Sequence, residues 1–122
     1  MANYIDGFVL PIPQKHLDTY KQVAETVSKI WKEHGALAYH EFVCDDMHLE
    51  GTLSFTEAHK ANKDEIIIFG WVEFSSREDR DHINEKVATD SRMPDLIAPL
   101  VDPERVIFEA NRMAFGGFRP LI

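Results

Sequence analysis

Residues 65–74 read Glu-Ile-Ile-Ile-Phe-Gly-Trp-Val-Glu-Phe, β-branched or aromatic at almost every position. No other stretch of the chain signals a strand so strongly. Ile66, Ile68 and Val72 point to one side of it, and Ile67, Phe69 and Trp71 to the other. A strand that is apolar on both sides belongs in the middle of a sheet, with both of its faces covered.

Outward from this strand, Asn3–Leu10 (Asn-Tyr-Ile-Asp-Gly-Phe-Val-Leu) is a second run of β-formers, and the prolines at 11 and 13 are expected to stop it. Between Gln14 and His34, the residues Leu17, Tyr20, Val23, Ala24, Val27, Ile30, Trp31 and His34 recur at steps of three and four. This spacing predicts a helix with one apolar face, ended by Gly35. Residues 36–46 read as a strand, and the polar run from His48 to Asp64 reads as a long loop. After the central strand, Ser75 and Ser76 are good caps for a helix over 77–88 with Glu78 and Asp79 in its first turn. Pro94–Leu100 suits one further short helix, and Asn111–Phe118 a last strand containing the pair Gly116-Gly117.

The order strand, helix, strand, strand, helix, strand is that of an α+β, ferredoxin-like β-α-β-β-α-β domain, an antiparallel sheet with both helices on one face. At 122 residues and 44% hydrophobic, the chain suits one domain over 1–122. The first strand repeats the pattern of the central one, with Tyr4, Phe8 and Leu10 on one side and Ile5 and Val9 on the other. The face that carries no helices therefore needs a cover. The simplest cover is the same face of a second copy across a two-fold axis, giving a homodimer. The rival is that Met47–Asp64 and the C-terminal segment fold back over it.

Composition narrows the function classes. A net charge of −8 opposes binding to phosphate backbones, so nucleic acid is not expected as a partner. No run is long and apolar enough for a membrane helix, and the start has no signal-peptide layout, so a cytoplasmic location without a membrane is expected. The single Cys44 excludes an internal disulfide and reads as a small hydrophobe. No phosphate loop, paired Cys or recognisable Ser or Cys nucleophile is present, and no cofactor is expected. His40, Asp45, Asp46, His48, Glu50 and His59 could offer nitrogen and oxygen ligands, but their spacing fits no metal motif and no metal is expected.

Polar groups inside strands mark the candidate site: Asp6, His40, Glu41, Glu73 and Arg112. A carboxylate on a buried face must be paired or shift its pKa, and such shifts cluster at functional sites. Glu41 shares its side with Leu37, Tyr39 and Val43, and Glu73 shares its side with Phe69 and Trp71. If neighbouring strands bring those sides together, Glu41 and Glu73 are acid/base candidates in a pocket lined by Tyr39, Phe69 and Trp71, with Arg112 as a ligand contact or ion-pair partner. Trp71 is otherwise expected in the core. Two functions follow: binding or transforming a small molecule in a pocket between sheet and helices, or a non-catalytic dimer that binds another protein.

Short strings along the whole chain also carry a resemblance. They are Tyr4-Ile5-Asp6-Gly7-Phe8-Val9, Lys32-Glu33-His34-Gly35-Ala36-Leu37, Asp45-Asp46 and Trp71-Val72-Glu73-Phe74. They continue with Arg80-Asp81, Asn84, Lys86, Asp90, Arg92-Met93, Arg112-Met113 and Gly116-Gly117-Phe118. This set resembles the YbaA-like family, small bacterial proteins of unknown function placed in the dimeric α/β barrel superfamily. The resemblance implies that fold and supplies no catalytic residue. The loop from Met47 to Lys63 fits the family pattern least well. Superfamily relatives include cofactor-independent monooxygenases, haem-degrading enzymes and isomerases, and a function inferred from so versatile a fold is analogy only.

Overall fold

The computed structural model describes residues 3–122. Four strands form one antiparallel sheet in the order β2-β3-β1-β6: β1 (Tyr4–Pro13), β2 (Ala38–Val43), β3 (Glu65–Phe74) and β6 (Ala114–Phe118). The long helices α1 (Leu17–Glu33) and α3 (Arg77–Ala88) contribute to a single core with Phe8, Leu10, Ile12, Ile68, Val72 and Phe74, which all lie on one face of the sheet. The antiparallel sheet with its helices is as expected, and residues 65–74 take the central place, between β2 and β1.

α1 buries Tyr20, Val23, Val27 and Ile30, the three- and four-residue stripe expected of it. Val23, Val27 and Ile30 each contribute roughly 1.5–3 kcal/mol by leaving water. Gly35 follows at φ +117°, a left-handed conformation that favours glycine. α3 starts at Ser76, whose hydroxyl accepts from the Asp79 N–H at 3.0 Å.

Several boundaries differ from expectation. β1 runs through Pro11 to Pro13 because β6 pairs only with Ile5–Val9. Beyond Val9 one side of β1 has no neighbour and needs no donor, so proline is tolerated there. β2 is shorter than 36–46. The 48–64 run holds one helical turn, α2 (Phe55–Ala58), because the Ser54 hydroxyl accepts from the Glu57 N–H. The expected helix at 94–100 is α4 (Met93–Ile97) followed by a 3-10 turn, and the two-residue strands β4 (Val101–Asp102) and β5 (Arg105–Val106) form a small hairpin after it. Residues 110–112 form a 3-10 turn, so the last strand starts only at Ala114.

The second sheet face carries neither α1 nor α3. His40 and Phe42 pair with Trp71 and Phe69 on this face, and Ile5 pairs with Phe118. Phe42 stacks on Trp71 with ring centroids 5.5 Å apart, and Phe55 of α2 meets Phe69 edge-on at 5.9 Å. The loop thus covers one end of the face, while Phe42, Phe69 and Phe118 stay 54%, 42% and 57% exposed. Trp71 is half-buried here and is not part of the main core, which corrects the expectation for it.

Candidate functional site

On the helix-bearing face, cross-strand pairing sets two rows of side chains. Asp6, Val72 and Tyr39 form one row, and Phe8, Gly70 and Glu41 the next. α1 passes over these rows with Tyr20, Val23, Ala24, Val27 and Trp31, α3 adds Asn84, and α4 adds Met93 and Ile97. Leu100, Phe108, Met113 and Phe115 complete the wall around a cavity of about 280 Å³. Its lining is almost entirely apolar, and its ionisable groups are the carboxyls Asp6 and Glu41 and the phenols Tyr20 and Tyr39.

Glu41 projects from the edge strand β2 under α1. Both of its oxygens are occupied: the Tyr20 hydroxyl donates to Oε1, and the Tyr39 hydroxyl donates to Oε2 at 2.8 Å. Burial pushes the Glu41 pKa up, and the two phenol hydrogen bonds offset part of that rise. Burial and the adjacent carboxylate push both tyrosine pKa values up as well, so the phenols stay protonated donors. A second, outer groove of about 490 Å³ between α1 and β2 shares Tyr20, Ala24, Tyr39 and Glu41 with the cavity, so this cluster is the partition between the two spaces.

Asp6 lies at the other side of the cavity and is 2% exposed. The Trp31 indole Nε1–H donates to Asn84 Oδ1 at 3.1 Å, and the Asn84 amide donates to Asp6 Oδ2 at 2.8 Å. Arg80 Nε stands 3.6 Å from Asp6 Oδ1, close enough to balance charge and too far for a hydrogen bond. The same guanidinium donates to the Tyr4 hydroxyl at 2.9 Å and lies over the Tyr4 ring. Burial raises the Asp6 pKa, against the lowering effect of Asn84 and Arg80.

Of the residues expected in the pocket, Tyr39 and Glu41 line the cavity, together with Asp6, which the strand pattern singles out as a polar oddity. Glu73 pairs with Ile5 and Ala38 on the opposite sheet face, where it accepts from the Asn3 side-chain amide at 3.0 Å. Phe69 and Trp71 share that face. The side-by-side placement of Glu41 and Glu73 fails because β2 pairs Tyr39 with Val72 and Glu41 with Gly70, one residue out of the register it required. Arg112 lies in the turn before β6, outside the cavity lining, and donates to both oxygens of Glu65 at 2.7 and 2.8 Å and to Glu109 at 3.0 Å. Its ion pair with Glu65 joins that turn to the start of β3.

Asp6 carried a visible signal, a carboxylate in an apolar strand. Tyr20 and Trp31 carried none beyond helical position, and Asn84 only its place in the family resemblance, because their roles depend on which elements meet across the cavity. Among the described residues, no three His, Cys, Asp or Glu side chains gather as a metal-binding set, and no helix is long and apolar enough to cross a membrane.

Comparison with known proteins connects this architecture to others. The Escherichia coli K12 protein named "Uncharacterized protein YbaA" is 34% identical over 119 residues, covering 98% of this chain and 97% of that one. A nipsnap family protein with unknown function from Agrobacterium tumefaciens is similar in structure at TM-score 0.58 and 16% identity, over 97% of this chain and 87% of that one. A dimeric ferredoxin-like protein from an uncultured marine organism matches at TM-score 0.51 and 12% identity, over 100% and 96%. These structural likenesses establish the ferredoxin-like α+β fold and nothing about activity. Residues 3–103 match the family described as "Protein of unknown function (DUF1428)", and with the near-complete alignment to YbaA this shows that the chain belongs to that family.

Proposed function

We propose that the protein binds a small, mainly apolar molecule in the cavity between sheet and helices, and that two copies join through the helix-free sheet faces as a dimeric α/β barrel. One observation carries the binding reading: a cavity of about 280 Å³ whose apolar wall contains two strand-borne carboxyls, each with its pKa raised by burial. Its size falls just below the range of about 300–1,000 Å³ for ligand pockets, which suits a small molecule. Burying carboxyls in such surroundings costs stability even with the hydrogen bonds they make, and a binding role is a reason for the chain to keep them. The exposed aromatic face supports the dimer, as does the dimeric state in the description of the marine protein.

The test is a thermal-shift screen of small uncharged ring compounds against the parent and Ala24→Phe, which puts a ring into the cavity. A ligand that binds the native state raises the melting temperature by mass action. The reading requires compounds that stabilise the parent and leave Ala24→Phe unmoved. Equal shifts in both proteins would place binding elsewhere and reject it. The rival reading, a protein-interaction module with no ligand of its own, requires that no compound stabilise the parent.

A further inference from the structure

Resting on the binding reading, we propose that the ligand is an organic cation, an apolar body that carries one ammonium group and sets it against Glu41. Glu41 lines both the cavity and the outer groove, so a molecule in the cavity meets it directly. One phenol donor on each of its oxygens is the arrangement of an ionised carboxylate. Each oxygen keeps a further lone-pair site, while Tyr20 and Tyr39 have given their only hydroxyl protons to Glu41. This end of the cavity therefore offers side-chain acceptors and no side-chain donor. What sits against it must donate.

Charge decides which donor. Asp6, Glu65 and Asp90 each stand beside an arginine, Arg80 at 3.6 Å, Arg112 at 2.7 Å and Arg92 at 2.8 Å. Glu41 has no such partner among the described residues. Lys21 lines the outer groove without pairing with it, and the cavity lining contains no Lys, Arg or His. A buried carboxylate without a counter-charge is costly, and an ammonium group supplies that charge with three donors and no acceptor. It also offsets the desolvation that pushes the Glu41 pKa up. The rings nearby favour the same ligand. The Tyr39 ring has Phe8 and Trp31 as neighbours at centroid distances of 6.4 and 5.9 Å, and all three line the cavity. Aromatic faces attract a cation within about 6 Å, and their apolar area accommodates the rest of the molecule. A carboxylate ligand would meet Glu41 with like charge, and an uncharged alcohol could donate but would leave the charge unbalanced.

Benzylamine, benzyl alcohol and benzoate share one ring, differ in the charge beside it, and test this at neutral pH. Binding is read by NMR titration at the two indole N–H resonances. Trp31 lines the cavity and not the outer groove, and Trp71 lies on the opposite sheet face, so the first reports the site and the second detects a cation held elsewhere on this acidic chain. Benzylamine is expected to shift the Trp31 resonance and to bind at least about tenfold more tightly than benzyl alcohol, as a charge-assisted hydrogen bond implies. Benzoate is expected to bind most weakly. In Glu41→Gln the benzylamine-to-benzyl alcohol ratio is expected to fall below about threefold, and an unchanged ratio would place the ammonium group away from Glu41 and overturn the proposal. Should that variant not fold, the ratio in the parent decides alone. Equal or tighter binding of benzyl alcohol or benzoate would overturn the cation while leaving the cavity reading intact. If none of the three perturbs Trp31, both the cation and the small-molecule reading fall.

Discussion

The Phe8 ring of β1 lies over Gly70 of β3, directly across the strand pair, and the pair adjoins the partition built on Glu41. A Cβ at position 70 would stand 2.5 Å from Phe8 Cζ and 2.6 Å from the His40 carbonyl oxygen. The first contact could be relieved by moving a ring, but the second is to backbone within the sheet. Gly70→Ala is therefore expected to destabilise the protein by about 3 kcal/mol, at the upper end of typical overpacking costs. Urea denaturation gives the value, and an unchanged midpoint would show that β2 moves away freely at this position.

Glu41→Gln keeps the shape of the side chain and removes its charge. Because the folded-state pKa is raised, the native protein binds the proton more tightly than the unfolded chain does. The parent therefore loses stability as pH rises from the ordinary glutamate value of about 4.3 through the raised folded value, and the loss stays constant above it. The Gln variant has no such term. Its melting temperature relative to the parent is expected to be most unfavourable near pH 4 and to improve steadily towards pH 7. A difference independent of pH across that range would mean that Glu41 titrates normally.

The main secondary structure was legible because each element announces itself locally: the stripe of α1, the caps of α3 and the apolar run of β3 need no knowledge of their neighbours. Small extensions were not legible. Pro11 within β1 is readable only once it is known that β6 begins opposite Val9 and leaves the rest of β1 without a neighbour on that side. The site was half legible for the same reason. Alternation along β2 correctly groups Tyr39 with Glu41, and alternation along β3 correctly groups Phe69 with Trp71 and Glu73. Which group of one strand shares a face with which group of the other depends on register, and a shift of one residue reverses the answer. Asp6 stood out in β1 as a carboxylate among apolar residues, while its Asn84 and Trp31 partners are 78 and 53 residues away from the groups they bond.

The helix-free face should decide the association state. At micromolar concentration the parent is expected to show a mass of twice the 14.0 kDa chain by light scattering. Phe69→Glu places a charge among Phe42, Phe55 and Trp71 and is expected to give a folded monomer. Trp71→Ala should weaken association too, but as a half-buried residue it should cost a monomer less than the roughly 3–5 kcal/mol of a buried aromatic. A parent that stays at the monomer mass would reject the dimer.

Asp90 provides a test where the C-terminal ends of α1 and α3 meet. Arg92 donates to its Oδ1 at 3.0 Å and to its Oδ2 at 2.8 Å, and His34 Nε2 lies 2.8 Å from Oδ2. Arg92 also reaches Glu33 of α1 at 2.8 Å. The Arg92 hydrogen bonds, followed by that of His34, hold the Asp90 carboxyl well below the usual carboxylate range. A depressed folded-state pKa contributes stability above the unfolded value of about 3.9, and that contribution is lost as pH falls towards the folded value. Asp90→Asn is therefore expected to lower the melting temperature at pH 7, with the gap to the parent closing as pH falls from about 5 to about 2. Added salt should narrow the gap at pH 7 as well, since Arg92 and Glu33 are solvent-exposed and screened. Because α4 begins directly after Arg92 and carries Met93 and Ile97 into the cavity wall, the variant should also weaken binding of the ring compounds that stabilise the parent at pH 7. Full ring-compound affinity in a destabilised Asp90→Asn protein would show that this ion cluster fastens the helix ends without shaping the cavity.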